Sequence, residues 1–91
     1  MRPKVRPFTP VIYLLISFEG RDYTVKAEIE VLTNTELYFI NVDEPALKKF
    51  VGDFFLIWRL ANGKFRYIKN DQTGSNEIKQ AVVDAISKLI D

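Results

Sequence analysis

VIYLLISFEGRDYTVKAEIEVLT, residues 11–33, is the stretch that decides the fold. From Tyr23 to Thr33 apolar and polar side chains alternate, which is the period of a strand with one buried face. Directly before this run, Glu19-Gly20-Arg21-Asp22 has Gly at the first central position of a two-residue loop, as type II′ hairpins require. The stretch therefore predicts two antiparallel strands joined by a tight turn.

This turn implies a register that brings the apolar residues of both strands together. A slip of one residue would scatter them over both faces of the sheet, so the turn and the apolar pattern support each other. We therefore expect the first strand to begin near Val11. Pairing Glu19 with Asp22 predicts four apolar pairs on one face: Phe18 with Tyr23, Ile16 with Val25, Leu14 with Ala27, and Ile12 with Ile29.

The sequence before the first strand raises the alternative of a secretory signal or a membrane anchor. Its basic residues precede an apolar run, but Val11 to Ile16 is only six residues long. A signal peptide needs roughly 7 to 15 apolar residues, and a transmembrane helix needs about 20. Pro3 and Pro7 favour an extended chain. We therefore interpret residues 1–9 as a basic, Pro-rich leader and expect a cytoplasmic protein without a membrane segment.

Composition limits both the size of the fold and its chemistry. The chain has 91 residues, of which 47% are hydrophobic, and this predicts a single domain over residues 10–91. It contains neither Cys nor His, so disulfides, thiolate chemistry and the commonest metal ligand and general base are excluded. The net charge of +1 predicts no global attraction to nucleic acid. We expect no cofactor and no metal.

The rest of the chain completes an α+β domain. The predicted order is βββαββα, a five-stranded antiparallel sheet with the C-terminal helix packed on one face. The further elements are a turn at Asn34-Thr35, a third strand over Leu37–Val42, a short helix from the N-cap Asp43 to Gly52, a fourth strand over Phe54–Leu60, a type I′ turn at Asn62-Gly63, a fifth strand over Phe65–Lys69 and a helix from about Ser75.

The spacing of apolar residues also predicts which side chains enter the core. In the last helix we expect Lys79, Asp84 and Lys88 on the solvated side. The predicted core residues of that helix are Ile78, Val82, Ala85, Ile86 and Leu89, and those of the sheet are Ile12, Leu14, Ile16, Val25, Ile29, Val31, Tyr38, Ile40, Trp58 and Leu60.

The second face of the predicted sheet is unusually apolar. Such a face is normally polar when it meets water, and large apolar patches mark interaction surfaces. We therefore expect a non-enzymatic module that binds a second copy of itself or another protein. The candidate partner-binding residues are Tyr13, Leu15, Leu37, Phe39 and Ile57.

Single-stranded nucleic acid is the alternative ligand, on the hairpin of residues 54–70. Basic side chains alternate there with aromatic rings that could stack on bases. The predicted register places Trp58 opposite Tyr67 on one face and Arg59 opposite Arg66 on the other, so rings and cations would point in opposite directions. For this reason we rank it second. The candidate nucleic-acid-binding residues are Arg59, Lys64, Arg66 and Lys69.

An enzymatic function has one candidate pair of side chains. Glu28 and Glu30 lie two residues apart on a predicted strand, which places them about 7 Å apart on one face. Two carboxylates at such a distance could act on a glycosidic bond. Alternating Glu residues are also the ordinary composition of a solvated strand face, and no cleft is predicted. We expect no catalytic residues.

Overall fold

The computed structural model describes residues 10–90, and the predicted leader over residues 1–9 lies outside them. The α+β class and the order βββαββα are confirmed. The elements are β1 (Val11–Phe18), β2 (Arg21–Val31), β3 (Glu36–Asn41), α1 (Pro45–Val51), β4 (Phe54–Arg59), β5 (Phe65–Arg66) and α2 (Thr73–Ile90).

The five strands form one antiparallel sheet in chain order, β1-β2-β3-β4-β5. Helix α1 is inserted in the connection between β3 and β4, whereas α2 follows β5 and packs back across the sheet, mainly against β1. We call the side of the sheet that α2 covers the helix face, and the opposite side the open face.

The β1–β2 turn differs from the predicted one but preserves the predicted faces. Glu19 and Gly20 are its central residues, with φ of 52° and 78°, and positive φ at both positions is the type I′ pattern rather than type II′. The register consequently moves by two residues, so that Leu14 lies opposite Val25. Since side chains alternate with a period of two, every residue stays on its predicted side.

The β2–β3 turn shows the same kind of displacement. The Leu32 N–H donates to the Thr35 carbonyl at 2.7 Å, so the loop is centred on Thr33-Asn34 and not on Asn34-Thr35. Ile29 then pairs with Tyr38, again two residues from the expected register. The helix face of the first three strands is therefore as predicted, except that Val31 lies near the end of β2 and is exposed.

The orientation of β4 was predicted wrongly. Phe55 and Ile57 face α2 and are buried, whereas Trp58 lies on the open face. Residues on both sides of this strand are apolar, so the sequence does not show which set of alternate side chains faces the core. The orientation is set where the chain leaves α1, since the Val42 N–H donates to the Asp53 carbonyl and Ile40 thereby pairs with Phe55.

The β4–β5 loop has three residues instead of two. Leu60 accepts a hydrogen bond from the Gly63 N–H at 2.9 Å and donates to the Lys64 carbonyl at 2.8 Å, with Gly63 at φ 85°. Asn62 does not have positive φ, so the loop is a turn followed by a Gly bulge rather than type I′. This moves the register by one residue and places Arg66 opposite Trp58.

The core lies between the helix face and α2. Three fully buried side chains, Ile78, Val82 and Ile86, form the stripe of α2 that meets the sheet. Leu89 is exposed, contrary to its predicted position. Lys79 is only 8% exposed although it was predicted on the solvated side. Its ammonium donates to the Ile68 carbonyl at 2.7 Å, which compensates for the burial of its charge.

Helix α1 holds the connection between β3 and β4 against this core. Its Leu47 is fully buried, and its N-cap is Glu44 rather than the predicted Asp43. Gly52 ends the helix as predicted, with φ 77° and its N–H donating to the Lys48 carbonyl at 2.7 Å.

Candidate functional site

The open face is the candidate site, and it has three zones that follow the strands. Its first zone, the β1 flank, carries Val11, Tyr13 and Leu15. Tyr13 and Leu15 are 69% and 66% exposed. Both were predicted to contact a partner, and both lie on the expected side of the sheet.

The second zone is the polar stripe of β2, formed by Thr24, Lys26, Glu28 and Glu30. The Lys26 ammonium lies 3.9 Å from the Glu28 carboxylate. Glu28 and Glu30, the candidate catalytic pair, both belong to this stripe and both take part in interactions with neighbouring groups. The stripe separates the β1 flank from the third zone.

The third zone, the β3–β4 patch, consists of apolar side chains from two neighbouring strands of the open face. The rings of Phe39 and Phe54 stack with centroids 4.7 Å apart and an interplanar angle of 12°. Phe54 remains 51% exposed despite this contact. The patch consists of Leu37 and Phe39 from β3 and Phe54, Leu56 and Trp58 from β4.

Of the candidate partner-binding residues, Ile57 is misplaced. It is 0% exposed and packs in the core beneath the sheet. Because β4 is oriented opposite to the prediction, its neighbours Leu56 and Trp58 take the open-face positions instead. Either set of alternate residues in FFLIWR could face the core, so no signal in the sequence identified Leu56 and Trp58 as open-face residues.

One row of cross-strand pairs crosses the open face from an acid to a base. Glu30 pairs with Leu37, Leu37 pairs with Trp58, and Trp58 pairs with Arg66. Directly paired residues share a face, so the four side chains lie side by side across β2, β3, β4 and β5. We call these four residues the charged row.

A buried polar atom lies on the open face at the end of β3. Asn41 pairs with Lys26 on one side and with Phe54 on the other. Its side-chain Nδ2 is buried and has no hydrogen-bond partner. An unsatisfied amide of this kind costs free energy.

The four candidate nucleic-acid-binding residues do not form one surface. Arg59 lies on the helix face, where its guanidinium contacts the Glu36 carboxylate at 3.3 Å. The Tyr38 hydroxyl donates to the same carboxylate at 3.0 Å. Burial, reinforced by this hydrogen bond and by the Glu36 charge, raises the pKa of Tyr38 to about 12. Arg59 therefore belongs to a structural cluster with Glu36 and Tyr38.

The other three basic residues lie near β5 and are exposed. Lys64 directly follows the β4–β5 loop, and its carbonyl accepts a hydrogen bond from the Leu60 N–H. Arg66 and Lys69 line an open cavity of about 480 Å³ together with Phe65, Tyr67 and Gln80. The Tyr67 hydroxyl donates to the Gln80 side chain at 2.9 Å, so one ring of this cavity is anchored to α2.

Comparison with protein-family models, curated proteins and solved structures finds no match to this chain. Within residues 10–90, no helix is both long and apolar enough to cross a membrane. The same part of the chain contains no group of three or more acidic side chains placed to hold a metal ion.

Proposed function

We propose that this protein is a non-enzymatic interaction module that self-associates through the open face of its sheet. The charged row carries this proposal, because its sequence of side chains is complementary to itself. A surface that pairs with its own copy must be self-complementary about a twofold axis.

The required axis runs parallel to the strands, between β3 and β4. Rotation about it places Glu30 of one copy over Arg66 of the other, and Leu37 over Trp58, twice in each pair of molecules. Two sheets that stack in this way lie about 10 Å apart, with their side chains interdigitated. The β3–β4 patch of each copy then covers that of the other.

Burial of the β3–β4 patch supplies the attraction in this arrangement. Apolar surface contributes about 25 cal/mol for each Å² removed from water, and a stable pair buries roughly 1,200 to 2,000 Å² in total. The charged rows then select the orientation, because any other alignment of the patches loses both oppositely charged contacts.

A charge exchange tests this orientation. Light scattering after gel filtration measures the mass of wild type, Arg66→Glu, and Glu30→Arg/Arg66→Glu over a range of concentrations. We expect Arg66→Glu to weaken the pair by about tenfold or more, since like charges then face each other, and the double variant to restore it. Wild type that is monomeric at high micromolar concentration refutes the proposal, as does a double variant no stronger than the single one.

Single-stranded nucleic acid is a second candidate, favoured by the observed pairing of Trp58 with Arg66 on one face. This pairing places a stacking ring beside a cation, which the predicted register did not. The acidic side chains of the polar stripe share that face and oppose phosphate binding, so we expect little affinity at physiological salt. Salt-sensitive binding tighter than about 1 μM, lost in Arg66→Ala/Lys69→Ala, would reverse this ranking.

The remaining functional expectations rest on sequence alone. The absence of Cys and His supports a non-enzymatic role without limiting the choice of partner. The cytoplasmic location stays a prediction.

A further inference from the structure

The two edge strands of the sheet, β1 and β5, differ in length and in charge. Strand β5 is two residues long and carries Arg66, and short length and charge both discourage pairing with another chain. Strand β1 has eight residues, VIYLLISF, without a charged side chain. Among residues 10–90, no strand pairs with the outer side of β1.

The hydrogen bonds to β2 determine which backbone groups of β1 point outward. The Ile29 N–H donates to the Pro10 carbonyl at 2.9 Å, so Pro10 belongs to the set of residues that bond to β2. In an antiparallel ladder this set alternates with residues whose N–H and C=O groups point away. The outward groups therefore belong to Val11, Tyr13, Leu15 and Ser17.

We propose that β1 pairs antiparallel with β1 of a second copy, about a twofold axis perpendicular to the sheet, to give a continuous ten-stranded sheet. With the axis at Leu14, Tyr13 lies opposite Leu15 of the second copy in two equivalent pairs. Aromatic and aliphatic residues so placed stabilise a sheet. The absence of charge on β1 suits self-pairing, since a charged side chain near the axis would face its own copy.

A groove beside the strand accommodates the second copy on the helix face. It has a volume of about 260 Å³ and lies between Ile16 of β1 and Ala81 and Ala85 of α2. In the proposed register, Ile12 of the second copy lies opposite Ile16 and enters this groove. Ile12 is half-buried in a single chain, so it has apolar surface left to bury.

The charges beside the groove are also compatible with self-pairing. Asp84 and Lys88, both exposed on α2, line it. In the proposed register each groove faces the Ile12 end of the other β1, so the two grooves and their charges lie on opposite sides of the twofold axis and like charges do not oppose each other.

This contact goes beyond the proposed function and is independent of it. An axis between β3 and β4 leaves β1 outside the stacked area, so the two contacts can coexist or occur alone. The Arg66→Glu variant separates them, because Arg66 lies at the far edge of the sheet from β1.

Residue-resolved amide hydrogen exchange of Arg66→Glu at increasing concentration tests the proposal. We expect amides of the inward set, such as Leu14 and Ile16, to be protected at every concentration. Amides of Tyr13 and Leu15 should exchange rapidly when dilute and become about tenfold or more protected when concentrated. Outward amides that stay unprotected at the highest concentration, or a strictly monomeric mass, would overturn the proposal.

Two substitutions at one position provide a matched check. Leu15→Pro removes an outward N–H without affecting the ladder to β2, and proline is tolerated at such edge positions. Leu15→Ala shortens the same side chain but keeps the N–H. We expect Leu15→Pro to weaken the edge contact by about tenfold more than Leu15→Ala, and equal effects would contradict backbone pairing. If Leu15→Pro does not fold, the hydrogen exchange experiment on Arg66→Glu, in which β1 is unaltered, still tests the proposal.

Discussion

Truncation of Ile57 to alanine tests the orientation of β4 and with it the identity of the open face. The side chain is fully buried and lies opposite Tyr38 on the helix face. Ile57→Ala removes three carbon atoms, and burial of each contributes about 0.8 kcal/mol. The cavity left behind adds to this loss, since a packed core relaxes only partly. We expect the free energy of unfolding to fall by about 3 to 4 kcal/mol.

Leu56→Ala is the matched control on the same strand. Leu56 is half-buried on the open face, where solvent fills the space left by a smaller side chain. Its truncation should cost about 1 kcal/mol or less in a single chain. A difference of about 2 kcal/mol or more between the two variants therefore follows from the observed orientation.

Urea unfolding followed by fluorescence provides the measurement, because Trp58 is the only tryptophan of the chain. The experiment is done at low protein concentration, since association would stabilise the folded state and mask the difference. In thermal melts, Ile57→Ala should lower the midpoint by at least about 12 °C, at about 4 to 8 °C for each kcal/mol. If Leu56→Ala proved as costly as Ile57→Ala, the assignment of the open face would be wrong.

Three further predictions concern local structure. Gly63→Val should cost about 1 kcal/mol or more, since a branched side chain fits poorly at φ 85°, and thermal melts unchanged from wild type would contradict the loop geometry. Because its folded-state pKa is raised to about 12, Tyr38 should contribute stability that is full below about pH 10 and is lost as pH rises toward 12. Urea titrations across this range should show a steeper decline in wild type than in Tyr38→Phe. Gly74→Ala should destabilise despite the better helix propensity of alanine, because its Cβ would lie 2.7 Å from the Phe50 ring. Phe50→Ala should relieve that cost in a double-mutant cycle.

The sequence was most informative where polar side chains mark one side of a strand. In β2 the polar residues Lys26, Glu28 and Glu30 alternate with apolar ones and establish which side faces the core. The two errors of register around this strand were each of two residues. A shift of that size exchanges partners along the strand but leaves each side chain on its face. Tyr13, Leu15, Leu37 and Phe39 could therefore be assigned to the open face from the sequence.

The sequence could not resolve turns that several backbone conformations allow. The sequence Glu19-Gly20-Arg21 fits a type II′ loop centred on Gly20-Arg21 and also a type I′ loop centred on Glu19-Gly20, one residue earlier. Asn62-Gly63 likewise fits both a two-residue loop and the observed bulge. The distinction matters more at Gly63, because the bulge changes the register by one residue and moves Arg66 beside Trp58.

The element order, the antiparallel sheet and the core of the first three strands were thus determined by the sequence, because alternation is local and polar residues supply its direction. The orientation of β4, the burial of Ile57 and the charged row were decided only by the tertiary structure. Strand β4 is apolar on both sides, so the propensity and periodicity of FFLIWR fit two orientations equally well. One of them is selected when the exit from α1 pairs Val42 with Asp53 and brings Phe55 and Ile57 under α2.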